Sequence, residues 1–152
     1  FRSGFLTFGN STLTNEQYTA LITKLMGIIR SSVSCSSTPP QSLLLRAIKD
    51  PATNIQKNEY RNILEERYKI VRNFCNTHKC SCLEPLPFNS GYFMSFNVIG
   101  KDSEQLRKKL LNEYGIGVVS IYPKTLRVAF SSFEKEKLET VYEAIFKAAE
   151  EL

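Results

Sequence analysis

Residues 55–76, IQKNEYRNILEERYKIVRNFCN, place Ile55, Tyr60, Ile63, Leu64, Tyr68, Val71 and Phe74 at helical spacing, with Glu65, Glu66, Arg67, Lys69 and Arg72 mostly elsewhere. A helix of that length with one apolar stripe holds together only when the stripe lies on another surface. That surface comes later in the chain. Tyr92 to Val98 alternates as a strand does, and IGVVSIY and TLRVAF read as a strand pair around Pro123. Asp102 or Ser103 caps a further helix, EQLRKKLLNEYG, which Gly115 closes, and EKEKLETVYEAIFKAAEEL reads as a terminal helix. The predicted fold is α/β, with an α+β-like small domain. A sheet of about three strands (92–98, 116–121 and 126–130) is covered by helices 55–76, 103–114 and 134–151.

The first 50 residues fit that layer poorly. GFLTFG (4–9) reads as a short strand ended by Gly9-Asn10, and such a strand cannot satisfy its backbone by itself. Thr14 with Gln17 is a capping-box signal for a helix to about Arg30, with apolar face Leu21, Leu25, Ile28 and Ile29. SSVSCSSTPPQ (31–41) is a loop of small residues, open to a close-approaching ligand or simply solvated. Its Thr38-Pro39 pair signals the start of the helix PQSLLLRAIKD, which Asp50-Pro51 ends. The chain opens without Met on a strand-like stretch that suits the interior of a larger protein. It is expected to be a fragment, divided into 1–50, left over from a larger domain, and 51–152, a smaller one.

With 152 residues, 42% of them hydrophobic, a real core is available, and 20 Lys+Arg against 15 Asp+Glu leave a formal charge of +5. That excess suits nucleic acid, a membrane surface or an anionic small ligand without choosing among them. No run approaches the ~18 apolar residues of a membrane span and no secretory pattern opens the chain, so the expected location is the cytoplasm.

The chain's chemistry-bearing groups are few. In CNTHKCSC, Cys75, His78, Cys80 and Cys82 crowd one loop at a helix end, whereas zinc sites pair a close knuckle with distant partners, so no metal is expected, and Cys75 reads equally as a core residue of that helix. One histidine, no Gly-x-Ser-x-Gly elbow and no Gly-rich phosphate loop argue against a self-contained hydrolase or nucleotide-binding fold. Arg107, Lys108 and Lys109 read as a solvated helix face rather than a nucleic-acid contact. Arg127 stands out, because Leu126, Val128, Ala129 and Phe130 around it read as mostly buried, and a guanidinium among them needs a negative partner. Either that partner is a ligand, or the arginine is salt-bridged to a protein carboxylate or lies on a strand edge.

Four stretches in order resemble class I/II aminotransferases, of pyridoxal-phosphate fold type I. They are FRSGFLTFG, SCSSTPPQSLLLRAI, PFNSGYFMSFNV and LRVAFSS. The resemblance spans the chain and implies its C-terminal part: the end of the large domain in 1–50 and the small domain in 51–152. It assigns Arg2 to the phosphate of pyridoxal 5′-phosphate and Arg127 to the substrate α-carboxylate. No catalytic residue lies in this chain, since the family's cofactor lysine falls upstream of Phe1, and the fragment by itself is expected to be inactive. The implied whole enzyme is a homodimer that moves an amino group between an aspartate- or aromatic-type 2-amino acid and a 2-oxo acid in a ping-pong sequence, without nucleic acid or membrane. The competing expectation is a non-enzymatic basic α/β module that binds nucleic acid or a protein partner. The loop SIYPKT is shorter than in many relatives, and CNTHKCSC matches nothing in the family pattern.

Overall fold

A computed structural model describes residues 3–121 and 123–152. The chain forms two compact units, residues 1–55 and 56–152.

In the first unit, helix α1 (Asn15–Ser32) starts as the sequence predicts. Thr14 accepts from the Gln17 N–H at 3.3 Å, and the Gln17 side chain accepts from the Thr14 N–H at 2.9 Å. Helix α2 (Thr38–Lys49) is capped by Ser37 rather than Thr38, and no side-chain bond is made. The reason is chemical: the N–H groups a cap would satisfy belong to Pro39 and Pro40, which have none. The expected strand over 4–9 is absent, and residues 3–10 lie in no helix or strand. Beyond it, the Tyr18 hydroxyl accepts from the Asn10 N–H at 2.7 Å and donates to the Asn10 carbonyl at 2.8 Å. Ile28, Ile29, Leu45 and Ile48 stay exposed, and neither helix buries a residue other than Pro40.

The second unit holds the core. It takes in helix α3 (Ala52–Thr77) from Gln56 onward, β1 (Leu83–Pro85), β2 (Met94–Val98), α4 (Ser103–Tyr114), β3 (Val119–Ile121), β4 (Thr125–Val128) and α5 (Leu138–Glu150). Two single 3₁₀ turns, Phe130–Ser132 and Lys135–Lys137, lead into α5, so that helix starts later than predicted. The sheet has four strands rather than three, all antiparallel, in the order β1-β2-β4-β3. β1 is short and contains Pro85, which an edge strand tolerates.

Alternation along the strands sorts the two faces. Leu83, Met94, Phe96, Val98, Leu126 and Val128 point into a core shared with Val71 and Phe74 of α3, Leu106 and Leu110 of α4, and Leu138, Tyr142 and Ile145 of α5. α4 is fixed at both ends. Asp102 accepts from the N–H groups of Glu104 and Gln105 at 2.9 and 3.0 Å, and Gly115 closes the helix at φ 66°, a left-handed conformation that glycine adopts without strain. The other face of the sheet carries Ser95, Asn97, Thr125, Arg127, Val119 and Ile121.

Candidate functional site

Arg127 sits in the middle of β4 with Ser95 of β2 directly opposite on one side and Val119 of β3 on the other. Its neighbours Leu126 and Val128 are fully buried, as the sequence suggests, but they belong to the helix-covered face. The period of two turns Arg127 to the opposite face, where it is half-buried rather than sunk in the core. Its Nε is nevertheless shut off from solvent and has no hydrogen-bond partner among the described residues. None of the described ion pairs includes it. Its contact is aromatic, with the guanidinium carbon 4.8 Å from the centre of the Phe93 ring.

The segment before β2 is what brings Phe93 there. Gly91 turns the chain at φ 92°, a conformation open to glycine and costly for other residues. The Tyr92 carbonyl then accepts from the Ser131 N–H at 3.3 Å, and Met94 pairs with Val128. Ser131 is held from the other side by Arg67 of α3, whose Nη1 donates to its carbonyl. In this register Phe93 is a diagonal neighbour of Arg127 on the same face, a separation that long and aromatic side chains span. Sequence reading placed Phe93 in the strand but gave it no role, since its meeting with Arg127 depends on the β2–β4 register.

An arginine in this state has the chemistry to receive an anion. A guanidinium presents N–H groups in a planar fork, and a carboxylate that reaches the fork would take two of them in parallel and neutralise the charge.

Arg2, assigned to the cofactor phosphate by resemblance, lies outside the described residues, so no described residue is assigned to the cofactor. The cysteine-rich loop does not converge. Cys75 is buried in α3 and burial pushes its thiol up to about 11. The His78 ring stacks on Phe74 at 4.1 Å, and Cys80 pairs with Leu83 in an isolated bridge. Among the described residues no group of three or more His, Cys, Asp or Glu is gathered as a metal would need. Each member of the basic stretch on α4 meets a carboxylate: Arg107 and Lys108 meet Glu104 at 2.7 and 3.9 Å, and Lys109 meets Glu113 at 2.7 Å. No described helix is long and apolar enough to cross a membrane.

The family model described as aminotransferase class I and II matches residues 1–145. The chain belongs to that family. A comparison with curated proteins finds no match. Among solved structures, the chain is similar to the kynurenine aminotransferase of Pyrococcus horikoshii, solved with PMP, at TM-score 0.74 and 15% identity over 87% of this chain and 35% of that one. It is also similar to the alpha-aminoadipate aminotransferase of Thermus thermophilus (TM-score 0.72, 14% identity, 87% and 36% covered). A third is the aromatic aminotransferase of Pyrococcus horikoshii (TM-score 0.69, 19% identity, 86% and 36% covered). At these identities the likeness is one of fold, and the chain spans about a third of the length of these relatives.

Proposed function

We propose that this chain is the C-terminal part of a pyridoxal-phosphate-dependent aminotransferase. In this reading residues 51–152 are its small domain and residues 1–50 the end of its large domain. The complete enzyme works as a cytoplasmic homodimer on an aspartate- or aromatic-type 2-amino acid and a 2-oxo acid. One observation carries the reading beyond family membership: Arg127 is half-buried on the sheet face away from the helices, with an enclosed Nε that no described group satisfies.

Arg127 is the receptor for the substrate α-carboxylate, and Arg2 is the partner of the cofactor phosphate. When bound, pyridoxal phosphate supplies the electron sink for loss of the Cα proton. The contribution of this chain is position. Two parallel hydrogen bonds from a planar guanidinium fix the direction of the carboxylate as well as its place, which a lysine cannot do. Holding the carboxylate orients Cα, and orientation of a reacting centre is worth orders of magnitude in rate.

The test uses the complete enzyme. Arg127→Lys keeps the charge and loses the fork, and Arg127→Ala loses both, so kcat/KM for amino acids falls in both and further in the second. The Ala change should cost ~2–4 kcal/mol, the scale for removing one partner of a buried charged pair. An amine lacking the carboxylate serves as control and should react at a rate indifferent to either change. Equal losses with amino acid and amine would mean that Arg127 supports the fold, and the assignment would be withdrawn. The full reading frame is a second check, since it should carry a lysine a few residues before Phe1, with an aspartate and a ring-stacking aromatic further upstream. Sedimentation of the complete enzyme as a monomer would remove the homodimer from the proposal.

A further inference from the structure

A guanidinium that must receive a carboxylate poses a conflict. It needs something to hold it in place while free, yet a protein carboxylate in that role would occupy the same N–H groups and compete with the ligand. The neighbours of Arg127 resolve this without an anion. Across the ladders it faces Ser95 and Val119, and none of the described ion pairs reaches it. What it meets is the ring of Phe93, 4.8 Å from the guanidinium carbon.

We propose that Phe93 is a positioning residue for Arg127: its ring holds the guanidinium by cation–π attraction without occupying any of the N–H groups that a substrate carboxylate would take. The proposal rests on the assignment of Arg127 to that carboxylate. An aromatic face attracts a cation through its quadrupole but supplies no lone pair, so it restrains the side chain without neutralising it. Phe93 is itself well anchored. The residue before it is bonded through its carbonyl to Ser131, the residue after it is in the β2–β4 ladder, and the Tyr92 ring lies edge-on 6.4 Å away. At 48% exposure the ring keeps a free side toward the open face, where a bound substrate would lie.

Loss of the ring frees the guanidinium, and binding must then freeze it. The cost therefore falls on association of carboxylate-bearing substrates and little on the step that follows. In the complete enzyme, Phe93→Leu should raise KM for both the amino acid and the 2-oxo acid roughly 3- to 30-fold, the range that cation–π energies convert to. With kcat held within about twofold, that split separates positioning from a general structural defect. Phe93→Tyr keeps the ring face and should restore KM. In an Arg127→Ala background, Phe93→Leu should add nothing, because the group it restrains is gone.

The outcomes separate the two claims. If Arg127→Ala raises the amino-acid KM but Phe93→Leu does not, or Phe93→Leu costs as much with Arg127 absent as present, the role given to Phe93 is wrong and the carboxylate assignment stands. Failure of Phe93→Tyr to restore KM also overturns the role. If Arg127→Ala itself leaves kcat/KM for the amino acid unchanged, the carboxylate assignment falls and takes this inference with it.

Discussion

Tyr142 offers a test of how the second unit is held together. Its side chain is fully buried, with its ring 5.8 Å from Phe74 and 6.1 Å from Phe96, and its hydroxyl has no hydrogen-bond partner among the described residues. The ring and the hydroxyl therefore act in opposite directions. The ring fills the centre of the core, where removing it altogether in Tyr142→Ala should cost about 3–5 kcal/mol. The hydroxyl has left water and gained nothing in return, a penalty of about 1–3 kcal/mol for a polar group of this kind. Tyr142→Phe deletes that atom and leaves the shape nearly unchanged, so it should stabilise the protein by ~1–3 kcal/mol. For a chain of this size each kcal/mol moves Tm by roughly 2–4 °C. Equilibrium unfolding in urea by circular dichroism gives both values, provided the slope with denaturant is unchanged between variants. A Phe variant less stable than the parent by more than ~1 kcal/mol would refute the reasoning, because the hydroxyl would then have a bonding partner such as an enclosed water.

Two further predictions concern stability. Burial raises the Cys75 thiol from its ordinary 9.0 to about 11, so the unfolded chain ionises first and stability present below pH 9 is lost as the pH climbs to about 11. The loss is at most about 3 kcal/mol, measured as the difference in alkaline slope between the parent and Cys75→Ala; parallel slopes would contradict it. Asp102→Ala removes the acceptor for two N–H groups at the start of α4 and should cost ~1 kcal/mol, up to about 2, in urea unfolding, whereas Asp102→Asn should recover most of it.

Local rules made most of the fold legible. Thr14 and Gln17 form the reciprocal cap their spacing implies, Asp102 and Gly115 delimit α4, and the apolar periodicities at 21–29 and 55–74 fall in α1 and α3. What escaped had no local signal or a misleading one. β1 is three residues long and contains a proline, so pattern reading passed over it, and it exists because Leu83, Glu84 and Pro85 find Val98, Asn97 and Phe96 in β2. The stretch 4–9 has the composition of a strand and forms none among the described residues, because pairing rather than composition makes a strand. The periodicity of α3 holds throughout, yet Ile55, Tyr60 and Ile63 are exposed and full burial begins at Val71. Periodicity states which face is apolar and leaves open how much of that face is covered.

The candidate site was half legible, for a reason that bears on function. Sequence singled out Arg127 by the apolar residues around it, although alternation places those residues on the other face, and what isolates the arginine is its cross-strand surroundings. Most described ion pairs join residues three or four apart on one helix or turn, as in Glu65–Lys69, Glu104–Arg107, Lys109–Glu113 and Glu134–Lys137. Helical geometry supplies such partners locally. A strand residue has no neighbour of that kind, since its partners are chosen by register from distant parts of the chain, and here they are Ser95, Val119 and, diagonally, Phe93. None of the three carries a negative charge. Placing the arginine on a strand thus separates it from the charge pairing that occupies the helical surface, and placing it beside a ring restrains it without satisfying it. The sequence shows the cation, but the lack of an opposing carboxylate among the described residues is a property of the register, and under the proposed assignment it is what leaves the charge available to a substrate.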